Sequence, residues 1–401
     1  MTHGAEHAPG SNPRIRPICE ARLHDGRSYG VHLVGDLLHA DHVFGPLLGH
    51  RRALLVAPAE VWALYGARVE ALRARLGLDL RVLVLELDEA KKTLDTVVRI
   101  CASCHENHIG RTDVLIALGG GVCCDLVTVA AGLVRRGIAH VRIPTTLIGQ
   151  IDAGVGIKGG LNFDGAKSYL GVFRPPEVVL IDPTFLVTSP LPSLLDGLAE
   201  TVKVALIADP RLFELVEQHG ARLLASRFTG NAALVEELVS RAAANMVALL
   251  QPNFFEERTY RREVDLGHTF SGLIEARSGY TTSHGQAVAI DIALSSSIAV
   301  VLGLTTARLS AQVVGLLRAT GLPVDSPLLT PELCEDAIAS ACLHRGGAPN
   351  LVVPSEVGSC DFVADRTRLT RAVFETAIAN LRLPSARHRV STLRDRIADP
   401  Q

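Results

Sequence analysis

The stretch EVDLGHTFSGLIEARSGYTTSHGQAV, residues 263–288, carries two histidines sixteen positions apart, His268 and His284, among apolar and helix-forming residues. A third candidate, Glu200, lies in LLDGLAETVK, with Lys203 one helical turn further on. A glutamate on an apolar helix costs several kcal/mol if it is buried without a partner, so its presence there asks for a cation. Two imidazoles and one carboxylate would leave a fourth zinc position open for water or substrate, which is the catalytic rather than the structural arrangement. Spacing alone does not establish that the three converge, and on chemistry alone the histidines could equally be satisfied core residues.

Two further stretches suit anions. ALGGGVCCDLVTVAAGLVRRG, residues 117–137, reads as a strand, a triple glycine and a helix. Glycines there let a backbone approach a pyrophosphate, and a helix N-terminus offers N–H groups and partial positive charge. The motif is not G-x-G-x-x-G, and a plain tight turn is the bland reading. RIPTTLIGQIDAGVGIKGGLNFDGAKSYLG, residues 142–171, reads as a Gly-rich loop after a strand, with Lys158 and Lys167 as cations. Loops at the carboxyl ends of parallel strands are where α/β proteins bind ligands. CASCHENH, residues 101–108, has the C-x-x-C-H form of a haem attachment site. No export signal or second ligand pair accompanies it, and it continues a helical pattern from Leu94, so two packed thiols at a helix end are expected.

The elements that must position these residues fall into two blocks. RALLVAP (52–58), LRVLVLEL (80–87), DVLIALGGG (113–121), HVRIPTT (140–146) and EVVLID (177–182) read as buried strands. Helical runs lie between them, which predicts a mostly parallel, doubly wound sheet. After about residue 188 long helical stretches dominate, among them LLDGLAETVKVALIAD, NAALVEELVSRAAANMVALLQ, SHGQAVAIDIALSSSIAVVLGL and RLTRAVFETAIANLRL. The expected organisation is a disordered tail over 1–29, a Rossmann-like α/β nucleotide-binding domain over 30–187, an all-α metal domain over 188–385 and a polar tail over 386–401.

Composition fits that plan. With 401 residues, 48% apolar and 20% charged, the chain buries an ample core, and its formal net charge of -2 gives no field to draw in nucleic acid or an anionic membrane. No run reaches the roughly eighteen uninterrupted apolar residues of a membrane span, and the first residues lack a signal-like apolar core. Eight scattered cysteines suit reduced thiols, so a cytoplasmic location is expected.

GGGVCCD, RRGIAHVRIPTTLIGQIDAGVGIK, GLAETVK, DLGHTF and HGQAVAID stand in the order and spacing of the sugar phosphate cyclases, the dehydroquinate synthase-like family. The resemblance covers about residues 50–365. It implies an NAD-binding domain, a helical metal domain, a catalytic site in the cleft between them and a homodimer. The implied zinc ligands, with cobalt as a substitute, are Glu200, His268 and His284. NAD would lie along Gly119, Gly120, Gly121, Val122, Asp125, Thr145 and Thr146, with Glu89, Lys92, Lys158, Lys167, Phe185 and Thr188 also in contact. Phosphate and hydroxyl contacts would fall to Lys158, Asn162, Lys167, Lys203 and Arg136, the last reaching across the dimer.

Within the family, dehydroquinate synthases typically carry a second histidine four residues after the metal ligand, where this chain has Gly272, and a lysine where it has Met246. NMVALLQPNFFEE, RREVDLGHTFS and CLHRGGAPNLVVPSEVGSCDFVAD instead resemble the sedoheptulose 7-phosphate cyclases. That resemblance gives Asp265 and His344 roles at the substrate and adds Arg262 and Arg345 as substrate contacts. The implied reaction closes sedoheptulose 7-phosphate to a C7 cyclitol with loss of phosphate, NAD returning unchanged. Dehydroquinate formation is the alternative, and a polyol dehydrogenase a more distant one. KSYLG and KGGLN depart from the expected motifs, with Ser168 replacing an asparagine, and the acidic residue often found after the first strand is missing.

Overall fold

The computed structural model describes residues 15–383. The chain divides into two compact units, one formed by the residues up to Ser189 with Phe228–Phe254, the other by Pro190–Arg227 with the residues from Phe255 on. In chain order the first unit contains β1 (Ile15–Arg22), β2 (Ser28–Val34), α1 (Asp41–Leu48), β3 (Ala53–Pro58), α2 (Ala59–Leu76), β4 (Leu80–Leu85) and α3 (Leu94–Glu106). It continues with β5 (Val114–Gly119), α4 (Gly121–Leu133), β6 (Ala139–Pro144), β7 (Lys158–Phe163), β8 (Ala166–Phe173) and β9 (Val178–Ile181).

Seven strands form one sheet in the order β1-β2-β9-β6-β5-β3-β4, with only the β1–β2 pair antiparallel. All six residues of β3 and of β5 are buried, as expected of strands covered on both faces. Their side chains alternate between two cores. Leu55 and Ile116 pack with Tyr65 and Val69 of α2, whereas Leu54 and Val56 pack with Val97 and Ile100 of α3 and Leu126 of α4. α3 runs on through Cys101 and Cys104, and all eight cysteines are free.

The second unit begins with α5 (Leu191–Ala208) and α6 (Pro210–Ala225), after which α7 (Ala232–Leu250) returns to the first. It resumes with α8 (Ser271–Arg277), α9 (His284–Val301), α10 (Ala307–Ala319), α11 (Pro331–His344), β10 (Leu351–Glu356), β11 (Ser359–Val363) and α12 (Arg371–Arg382). α9 is the one helix among the described residues long and apolar enough to cross a membrane, and most of it is buried within its unit.

Four expectations need correction. Residues 15–29, read as disordered, build β1 and open β2, because Tyr29, Val31 and Leu33 alternate onto the core. Residues 1–14 and the tail read over 386–401 lie outside the described residues. α7, placed with the helical domain, packs instead on β1 and on a π-helical turn over Gly149–Ala153. The second unit is helical but not all-α, since β10 and β11 form an antiparallel hairpin. The later part of the loop read over 142–171 is also a hairpin, β7–β8, turned by Asp164 and Gly165, both at positive φ, the backbone that two-residue hairpin turns require.

Candidate active site

In the second unit, α5 carries Asp196, Glu200 and Lys203 at successive turns. Asp196 Oδ1 accepts hydrogen bonds from Ser283 Oγ at 2.5 Å and Gly285 N at 3.1 Å, seating the start of α9 against α5. Ser283 caps α9 in a reciprocal box with Gln286, which makes His284 the first helical residue. A Cβ on Gly285 would lie 2.2 Å from the Asp196 Cα, so only glycine permits this approach. His268 precedes α8, and Asp291 of α9 receives the N–H groups of Thr269, Phe270 and Ser271 on one oxygen, at 2.5–3.0 Å. One helix thus supplies one histidine and anchors the loop that bears the other.

Three donor atoms meet there. Glu200 is fully buried, and its Oε1 lies 3.1 Å from His284 Nε2 and 3.7 Å from His268 Nε2. The ligand atoms all lie within 4.8 Å of one another. Both Nδ1 atoms are engaged, His284 with Glu275 Oε1 at 2.9 Å and His268 with the Leu266 carbonyl at 3.1 Å. Protonated Nδ1 atoms would leave both Nε2 lone pairs facing Glu200, the way carboxylates and carbonyls orient metal-binding imidazoles. Glu200 Oε2 is buried and ion-paired with the Lys203 ammonium at 2.5 Å. This donor set fits a divalent metal with room for a further ligand.

The electrostatics of these groups suit a bound cation. Burial alone would raise the Glu200 carboxyl, but Lys203, His268 and His284 outweigh it and hold it well below the usual range. Burial and the Lys203 ammonium lower His268 to about 4, against the pull of Glu200. Burial would lower His284 too, yet its hydrogen bonds to Glu200 and Glu275 and their charges raise it to about 9.

Asp265 is already committed. Its Oδ1 accepts from Arg262 at 2.6 Å, its Oδ2 lies 3.3 Å from Arg345, and its carbonyl receives His268 N–H at 3.0 Å. Arg262 also pairs with Glu256, and Arg345 donates to Thr269 Oγ1 and the Pro349 carbonyl. These side chains brace both ends of the turn that presents His268. His344, the last residue of α11, is exposed.

In the first unit the triple glycine ends β5 and starts α4, with Val122 in its first turn. A Cβ on Gly119 would come within 2.7–2.8 Å of Cys123 and Pro58, so the strand-to-helix turn closes only with glycine. Thr145 N–H bonds the Gly119 carbonyl, and Thr146 Oγ1 accepts from Gly149 N–H. Lys92 Nζ lies 2.5 Å from Asp125 Oδ2, both side chains mostly buried. Burial pushes the Asp125 carboxyl up against the opposing pull of Lys92 and Arg142. Asn162 Nδ2 donates to the Glu89 carbonyl and carboxylate at 3.0 Å. Phe185 is buried edge-on to Tyr65, whose hydroxyl lies 2.7 Å from Thr188 Oγ1. Lys158 and Lys167 are exposed on β7 and β8, and Arg136 is exposed on a turn at positive φ.

The structure therefore gathers the three expected metal ligands with Lys203, and it ties Glu89 to Asn162 and Lys92 to Asp125. Sequence reasoning missed Asp196, Glu275 and Asp291. Each is an acidic residue within a helical stretch that supplied a motif, and the unused signal was a carboxylate on an apolar helix face.

Comparison with known proteins identifies the family and the fold. Residues 82–195 match the 3-dehydroquinate synthase N-terminal family and residues 197–341 its C-terminal counterpart. The 2-epi-5-epi-valiolone synthase of Actinoplanes sp. is 41% identical over 80% of this chain and 81% of its own length. The 3-dehydroquinate synthase of Rhodospirillum rubrum is 36% identical over 75% of this chain and 77% of its own. A solved 2-epi-5-epi-valiolone synthase from Streptomyces hygroscopicus subsp. jinggangensis, with NAD+ and Zn2+ bound, superposes with a TM-score of 0.82 at 38% identity, covering 88% of this chain and 97% of that one. The chain belongs to the 3-dehydroquinate synthase-like family of sugar phosphate cyclases.

Proposed function

We propose that the protein is an NAD- and zinc-dependent cyclase that converts sedoheptulose 7-phosphate into a C7 cyclitol, 2-epi-5-epi-valiolone or a stereoisomer, with loss of phosphate. In reaction terms it is a carbon–oxygen lyase acting on a phosphate ester. The observation that carries this reading is the lysine-bearing hairpin β7–β8 in the same unit as the triple-glycine turn, since an unphosphorylated alcohol has no need of two cations there. When bound, NAD supplies a reversible oxidation at one carbinol carbon and the metal polarises the hydroxyl oxygen on it.

The chain's own residues do the rest. Glu200, His268 and His284 hold the metal, and Glu275 and the Leu266 carbonyl orient the two imidazoles. Lys203 supplies positive charge beside Glu200. Lys158 and Lys167 offer ammonium groups to the departing phosphate, with Arg136 contributed by a second subunit of a homodimer. Gly119–Val122, Thr145 and Thr146 line the dinucleotide, with Glu89, Lys92, Asp125, Phe185 and Thr188 around it.

Asp265, in the turn before His268, and its partner Arg345, which follows α11, meet the substrate as a pair. Gly272, in the first turn of α8, has open space where a side chain would stand, which supports a substrate without the carboxylate that a dehydroquinate precursor brings. Eight free cysteines support a reducing, cytoplasmic setting.

The test is phosphate release by the zinc-loaded enzyme with NAD, given sedoheptulose 7-phosphate or the dehydroquinate precursor in separate assays. Release from the first without net NADH is expected. Release only from the second overturns the substrate assignment in favour of dehydroquinate synthesis, and net NADH overturns the cyclase reading in favour of a dehydrogenase.

A further inference from the structure

Arg142, on β6, is fully buried; its charge is felt by Asp125, but it hydrogen-bonds to none of the site residues' side chains named above. Its hydrogen-bond partners are all neutral. Nε and Nη2 donate to Thr128 Oγ1 at 3.2 and 2.8 Å, Nη1 donates to the carbonyls of Gly154 at 3.3 Å and Gly156 at 2.6 Å, and Nη2 donates to that of Lys158 at 3.0 Å. Thr128 is itself fixed, donating to the Cys124 carbonyl on α4 at 2.7 Å.

The three carbonyls belong to the segment GVGIK, which turns and bends from the end of the π-helical turn to the first residue of β7. The carbonyls between them are also taken. Val155 accepts from the Tyr29 hydroxyl at 2.6 Å and Ile157 from the Arg174 backbone N–H at 2.7 Å. Every carbonyl from Gly154 to Lys158 is thus satisfied, three of the five by one guanidinium. Burying a guanidinium is costly, and the planar fork recovers that cost here by fixing backbone.

Next to Lys158, Gly159 packs closely on Thr128, and towards the far end of β7 Asn162 N–H bonds the Lys92 carbonyl at 2.8 Å. Lys158 is the residue whose side chain is exposed while its own carbonyl is gripped from the interior.

We propose that Arg142 is a positioning residue that holds the 154–158 segment rigid so that Lys158 presents its ammonium at a fixed point for a phosphate group. The inference rests on the cyclase reading only for the identity of that phosphate. A lysine has a flexible stem, and fixing its backbone removes part of the ordering cost that an anion would otherwise meet on binding.

The test compares wild type with Arg142→Lys, which keeps the charge but loses the fork, in the full-length protein loaded with zinc and NAD. The readouts are melting temperature, amide exchange of peptides covering 154–160, inhibition by inorganic phosphate, and KM and kcat for the sugar phosphate. The expected result is a melting temperature close to wild type, exchange in 154–160 faster by about tenfold, and phosphate Ki and sugar phosphate KM raised about tenfold with kcat changed far less.

Unchanged exchange overturns the proposal, and so does faster exchange with unchanged Ki. If Arg142→Lys does not fold, Thr128→Val provides the same readouts by removing the oxygen that receives Nε and Nη2, and the same outcomes decide. Exchange and phosphate inhibition do not depend on the substrate. An enzyme inert to sedoheptulose 7-phosphate but showing both effects would sink the functional reading and leave this one standing.

Discussion

The metal cluster and the lysine hairpin manage charge in opposite ways. In the second unit the charges face inward: Glu200, Lys203, His268 and His284 are close enough to set one another's protonation, and Glu275, Asp196 and Asp291 hold them from behind. In the first unit Lys158 and Lys167 face solvent, and the buried polar groups serve the backbone, as Arg142 does for 154–158 and Lys92 with Asp125 do beside β7. An inward cluster can be completed by a small cation, whereas outward cations on a stiff strand suit an anion that arrives and leaves. Substitutions in the two regions should therefore fail differently.

The largest expected effect is His268→Ala. Loss of one of three metal donors should lower phosphate release on the order of a thousandfold, with bound zinc well below one per chain by elemental analysis. Full activity in metal-free protein would end the metal assignment. Glu275→Gln should weaken zinc binding by up to about a hundredfold, because His284 loses the carboxylate that orients its ring. Its KM for sugar phosphate at saturating zinc should stay near wild type. Lys158→Ala should do the reverse, raising that KM about tenfold with zinc content unchanged. If either variant moved both quantities equally, the division between inward and outward sites would be wrong.

The sequence made some of this legible and hid the rest for physical reasons. Strands β3 and β5 announce themselves as apolar runs because both faces are covered, and Glu200 stands out because a carboxylate on an apolar helix needs a partner. β7–β8 was missed because its glycines and lysines look like loop composition, although Asp164–Gly165 is a hairpin turn signal. α7 has the same periodicity as its neighbours in sequence, and periodicity does not say which unit a helix joins. The resemblance gives Asp265 a role at the substrate, but its pairing with Arg262 and Arg345 is made only by the fold. Arg142 gave no signal, since its partners are one threonine hydroxyl and three backbone carbonyls, and carbonyls are common to every residue.

The smallest effect discriminates most finely between a metal site and a plain ion-pair cluster. In the metal-free protein the carboxylates of Glu200 and Glu275 raise His284 to about 9 despite burial, against an ordinary imidazole near 6.5. A group raised in this way stabilises the fold fully below its ordinary value, and that stabilisation is lost as pH rises through about 9. The melting temperature of metal-free protein should thus drop between pH 7 and pH 10 relative to zinc-loaded protein, in which the metal takes the place of the proton on Nε2. Zinc uptake near neutral pH should release about one proton from His284, since a histidine ligand must be neutral. Glu275→Gln removes one of the two carboxylates that hold this proton, so its proton release should decline at a lower pH than in wild type. An unchanged release profile would mean that Glu275 orients the ring without tuning its charge.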